Sequence, residues 1–227
     1  MTCMDHILIA NDDGQIPTLR CRPHEPGPLL AIIPSIFGVT PDVVHFAKTF
    51  AENGALVYAI DPFWRCAPGP LRIPADFEDA MKRMHQTDVT AVTTDVLAAL
   101  DEGLTDARCN GKTIALGICF GGKIAANAAK HRSVQGLAAW HGAGLLPALD
   151  IATLDNTHIS FDFGANDPLI PIAEVDAIRT ALPKHNGSIR IHPGAGHGFT
   201  HRDTLKCHKA AMTAAMRGVS EIISALR

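Results

Sequence analysis

Three short segments of this 227-residue chain carry side chains able to do nucleophilic chemistry. The first is Gly117-Ile118-Cys119-Phe120-Gly121-Gly122, a G-x-nucleophile-x-G pattern with cysteine at its centre. A strand that turns sharply into a helix strains the middle residue and crowds the positions two before and two after it, so both are best as glycine. Gly117 and Gly121 stand there. Such a turn lifts the sulfur clear of a sheet and sets it at a helix N-terminus, whose positive end favours thiolate. The second segment, Gly164-Ala165-Asn166-Asp167-Pro168, places Asp167 in a proline-bounded turn. The third, Gly194-Ala195-Gly196-His197-Gly198, leaves His197 flanked by glycines and free to be aimed by its loop. Thiol, carboxylate and imidazole in that chain order are expected to form a triad. His197 would take the thiol proton and later protonate a leaving alkoxide, while Asp167 fixes its tautomer and stabilises the cation. The oxyanion hole would use the backbone N–H of Phe120 and a second donor from the loop after the first buried strand, at Ile36.

Other chemistries fit less well. Gly117 to Lys123 also spells G-x-x-x-x-G-K, but a phosphate loop needs Ser or Thr next to hold magnesium, and Ile124 cannot ligate an ion. No Cys-x-x-Cys or His-Glu-x-x-His spacing occurs, and the glycine-rich stretch around His197 and His201 is a loop, so no metal and no cofactor are expected. The six cysteines are too scattered for a disulfide framework. Twenty Lys and Arg against 23 Asp and Glu leave a net charge of −3, which gives no support for a nucleic-acid or membrane-surface partner, and none is expected. There is no signal-peptide pattern and no apolar run of spanning length, so a cytoplasmic location is expected. Composition sets no oligomeric state.

The elements that must position these residues are legible in the apolar pattern. Residues 29–34, 55–60, 113–118, 136–140 and 158–164 are short apolar runs, like strands buried on both faces, and 188–191 is a short strand. Between them, 42–53, 88–104, 122–132 and 173–182 read as helices, and 204–226 closes the chain. Two hydrophobic segments within 5–23 are expected to form a leading hairpin. Alternating strands and helices predict one α/β domain over 1–227, a mainly parallel sheet with helices on both faces and no large lid. Chemistry in such a sheet sits at the carboxyl ends of the strands, where Cys119, Asp167 and His197 all fall.

Taken with Pro34-Ser35-Ile36-Phe37-Gly38-Val39, Arg65-Cys66-Ala67-Pro68-Gly69 and Gly196-His197-Gly198-Phe199, the elbow resembles the dienelactone hydrolase (carboxymethylenebutenolidase) family of α/β-hydrolases from about residue 27 onward. The resemblance implies an acyl-enzyme hydrolase of a small lactone or ester, with Cys119, Asp167 and His197 as its triad. It also implies a substrate-binding set. Ser35 stands where characterised members carry a Glu that helps ionise the cysteine. Arg65 matches the first of two arginines that hold a substrate carboxylate. His201 stands at the place of the second, with Arg202 one further on. Phe37 and Trp140 fall at aromatic pocket positions. The departures leave a general carboxylesterase, or a non-catalytic small-molecule binder, as alternatives.

Overall fold

Gly27–Ile33 (β3) is a continuous buried strand, and its side chains divide by parity. Leu29, Ala31 and Ile33 join the core on one face of the sheet, and Leu30 and Ile32 join the core on the other. A strand with two buried faces needs helices on both sides, and the computed structural model, which describes residues 3–182 and 187–227, supplies them.

One eight-stranded sheet runs in the order β1-β2-β4-β3-β5-β6-β7-β8. β1 (Cys3–Asn11) and β2 (Gly14–Arg22) form the leading hairpin and pair antiparallel. β2 also runs antiparallel to β4 (Leu56–Ile60). From β4 through β3, β5 (Cys109–Ile118), β6 (Gly136–Trp140), β7 (His158–Gly164) and β8 (Gly187–His192) every pairing is parallel. Helices α1 (Pro41–Glu52) and α6 (Lys209–Ala225) cover one face through Phe46, Phe50, Val219 and Ile222. Helices α2 (Phe77–Gln86), α3 (Val89–Gly103), α4 (Gly121–His131) and α5 (Ile172–Ala181) cover the other, with Ala80, Val96, Ile124 and Val175 at the contact.

Two differences from the sequence reading bear on the site. Helix α2 is absent from the sequence reading, although Phe77, Ala80, Met81 and Met84 fall on one of its faces; only Ala80 and Arg83 of its residues are fully buried. The closing helix begins at Lys209 rather than 204, where the His208 side chain accepts from the Ala211 amide. That leaves 204–208 as a loop beside the strand ends.

The chain leaves β3 toward β4 on one side and returns to β5 on the other. This is a topological switch point, where loops part at the carboxyl ends and open a crevice. Ile33 pairs with Gly117, so the Ser35–Phe37 loop and the Cys119 turn leave the sheet side by side. Among the described residues no helix is long and apolar enough to cross a membrane.

Candidate active site

The turn after β5 is as tight as its glycines imply. Cys119 has φ +52°, a left-handed conformation rare for a residue with a side chain. A Cβ on Gly117 would overlap the Gly121 backbone, and one on Gly121 would overlap the Ile33 carbonyl. The strained residue is held by its backbone: its N–H donates to the Trp140 carbonyl (3.0 Å), and its own carbonyl accepts from Gly122 (2.9 Å) and Ala143 (3.1 Å). Helix α4 starts two residues on, so the sulfur stands near a helix N-terminus.

His197 and Asp167 arrive from the loops after β8 and β7. His197 Nε2 lies 3.1 Å from Cys119 Sγ, and its Nδ1 lies 2.8 Å from Asp167 Oδ2. The other Asp167 oxygen accepts from the Leu169 amide at 2.9 Å, which fixes the carboxylate plane. Burial works against an imidazolium here, but the hydrogen bonds to Asp167 and Cys119 outweigh it and raise His197 to about 9. Two further histidines flank the pair and behave oppositely. Burial and the charges of His197 and Lys206 push His201 down to about 4. His141 is fully buried, with φ +38° and its Nε2 2.9 Å from Thr200 Oγ1, and burial holds it well below the usual imidazole range.

The pair opens into a cleft of about 560 Å³. Ile36 and Phe120 line it beside Cys119, as do Ser35, Phe37 and His201. The Ser35 hydroxyl accepts from the Phe37 amide (3.4 Å), and the Phe37 ring meets His201 edge-on with centroids 5.8 Å apart. Sequence reasoning missed much of the remaining lining: Phe77, Met81 and Met84 on α2, Leu169, Lys123 and Lys206. Their common signal is the i, i+4, i+7 spacing of Phe77, Met81 and Met84, which marks one helical face. Lys123 Nζ sits 4.7 Å from the Phe120 ring centroid. Among the described residues, Cys119, His141 and His197 are a group that could hold a metal ion, with ligand atoms within 4.8 Å of one another.

The dienelactone hydrolase family model matches residues 16–226. The chain belongs to the dienelactone hydrolase family. Curated relatives include carboxymethylenebutenolidase 1 of Cupriavidus pinatubonensis, 24% identical over 88% of this chain and 87% of that protein. Carboxymethylenebutenolidase of a Pseudomonas species is 27% identical over 76% of this chain and 74% of that one. The dienelactone hydrolase of Anabaena variabilis shares the fold with a TM-score of 0.73, 18% identity, and coverage of 100% of this chain and 99% of that one. Family membership makes the chain a hydrolase acting on ester bonds on an α/β-hydrolase fold.

Three expected substrate-binding residues of this family member stand elsewhere. Arg65 is turned away from the cleft and bound to carboxylates: its Nη2 donates to Asp95 Oδ1 (2.9 Å) and Asp13 Oδ2 (2.7 Å). Asp95 is wholly buried and also accepts from Trp64 Nε1 (2.9 Å), so Arg65 serves as the countercharge of a structural carboxylate. Trp140 lies on the opposite face of the sheet, edge-on to Phe46 with centroids 5.0 Å apart. Arg202 is exposed, and its amide donates to Asp42 Oδ2 (3.2 Å) outside the cleft lining.

Proposed function

We propose that this family member is a thiol hydrolase of small lactones or carboxylic esters, with Cys119 as nucleophile. The observation that carries the reading is the unbroken line from Asp167 through His197 to Cys119, ending in an open cleft. The Cys119 sulfur attacks the substrate carbonyl carbon, and the tetrahedral oxyanion takes the backbone N–H groups of Phe120 and Ile36. Collapse breaks the acyl C–O bond, and His197 gives its proton to the leaving alkoxide. With a lactone that hydroxyl stays attached to the thioacyl group. A water then loses a proton to His197 and attacks the thioester, which releases the acid and returns the proton to the pair. Asp167 holds the imidazole in the required tautomer throughout.

The cleft lining favours a substrate with an apolar body. Phe37, Phe77, Met81, Met84 and Leu169 face it, and its cations are Lys123 and Lys206 rather than arginines. This supports a carboxylesterase-like range over a narrow dienelactone specificity. We read the chain as one domain, and its six unpaired cysteines suit the reducing cytoplasm.

Hydrolysis of a nitrophenyl ester by the wild-type chain is expected to collapse in Cys119→Ala. In parallel, iodoacetamide should label Cys119 faster than Cys3 or Cys207. Activity that survives the substitution, or uniform labelling, sinks the assignment.

A further inference from the structure

Arg83 is a large cation sealed inside the protein, at 2% exposure, with no carboxylate among its hydrogen-bond partners. Buried arginines ordinarily meet an acid, because an unpaired buried charge is costly. This one meets carbonyls instead. Its Nε donates to the Ile36 carbonyl (2.9 Å), and its Nη1 donates to the carbonyls of Ala67 (3.0 Å) and Gly69 (2.8 Å). The guanidinium also lies over the Phe63 ring, 4.1 Å from its centroid. Phe63 in turn stacks on Phe120, with centroids 5.7 Å apart and planes 26° apart.

Those contacts converge on one function. Ile36 and Phe120 are the residues whose backbone N–H groups would form the oxyanion hole. They come from different loops, after β3 and β5, and no backbone hydrogen bond joins them. Arg83 reaches both, the first through the Ile36 carbonyl and the second through Phe63. Asp61 reinforces the same frame, because its carboxylate accepts from the Phe63 amide (3.0 Å) and the Gly69 amide (2.7 Å). We infer that Arg83 is a positioning residue that sets the separation and direction of the two oxyanion donors.

The inference rests on the proposed thiol-hydrolase reading, and its test separates the two. Alkylation of Cys119 by iodoacetamide is a displacement at carbon that forms no oxyanion, so it reports the thiol–imidazole pair alone. Ester hydrolysis needs both the pair and the hole. In Arg83→Met, kcat on a nitrophenyl ester should fall roughly 10- to 100-fold with KM within about twofold, as a misdirected donor predicts. The alkylation rate should stay at the wild-type value. Arg83→Lys keeps one cation able to reach one carbonyl, so it should give an intermediate kcat, and it carries the test alone if Arg83→Met fails to fold. An unchanged kcat in Arg83→Lys and Arg83→Met overturns the inference. So does a parallel fall in alkylation and hydrolysis, which would assign Arg83 to the thiol or to the fold at large. Ester hydrolysis that survives in Cys119→Ala would remove the underlying reading itself.

Discussion

The rings of His141 and His197 lie 4.9 Å apart between centroids, at 66° to one another, and are held in opposite protonation states. His197 is raised to about 9 by its bonds to Asp167 and Cys119, against the pull of burial. His141 is held neutral by burial first, and then by the charge of His197 itself. One imidazolium in a closed space excludes a second beside it.

A raised His197 sets an alkaline limit. kcat/KM for ester hydrolysis should hold through neutral pH and fall as pH passes about 9, where His197 loses the proton owed to the leaving alkoxide. Stability should follow the same sign. The folded value lies above the unfolded ~6.5, so the contribution is complete below ~6.5 and is lost as pH rises through about 9. A flat profile to pH 10 in both rate and urea midpoint would contradict this.

Asp167→Asn keeps the shape but offers His197 an amide in place of a charge. kcat/KM should drop roughly 10²- to 10⁴-fold, as loss of the orienting carboxylate does in triads. The alkaline limb should also move to lower pH, because the Asp167 hydrogen bond is the strongest of the effects that raise His197. Steady-state rates across pH check both. A slower enzyme with an unmoved limb would mean that Asp167 does not act through His197.

His201 should make the protein acid-sensitive. It is 8% exposed and depressed to about 4, so an unfolded chain binds its proton near ~6.5 while the folded chain resists. Stability from this group is whole above ~6.5 and falls by up to ~3 kcal/mol as pH drops to about 4. Urea unfolding of His201→Gln between pH 7 and 4 should show a shallower loss than wild type. Parallel curves would refute the attribution.

Gly117→Ala tests the elbow as packing rather than chemistry. The new Cβ has no space against Gly121 O and Gly122 Cα, so β5 and α4 must separate. A loss of roughly 2–4 kcal/mol is expected, with slowed alkylation of Cys119 because the sulfur is displaced from His197. Gly111→Ala, also on β5, has open space around its Cβ and a left-handed φ of +86°, so it should cost only backbone strain and leave alkylation intact.

Local sterics alone mark the proposed nucleophile. The demand for glycine at 117 and 121 is a property of six consecutive residues, so Cys119 could be found without any tertiary information. Asp167 and His197 were legible because each follows a buried strand, and strand ends converge in a parallel sheet. The substrate-facing residues were not, because which way a side chain turns depends on partners distant in sequence. Arg65 is taken by Asp13 and Asp95, which stand 52 and 30 residues away. Trp140 follows the parity of β6, which sends Ala138 and Trp140 to the α1–α6 face and Leu137 and Ala139 to the other. Helix α2 buries an arginine beside Ala80, and the partners that make this possible are three loop carbonyls 14 to 47 residues away in sequence. Local spacing is enough to order the proposed chemistry along the chain: thiol, carboxylate, imidazole. Which cations, aromatics and methionines line the cleft follows instead from long-range packing, because partners distant in sequence choose the neighbours of each side chain.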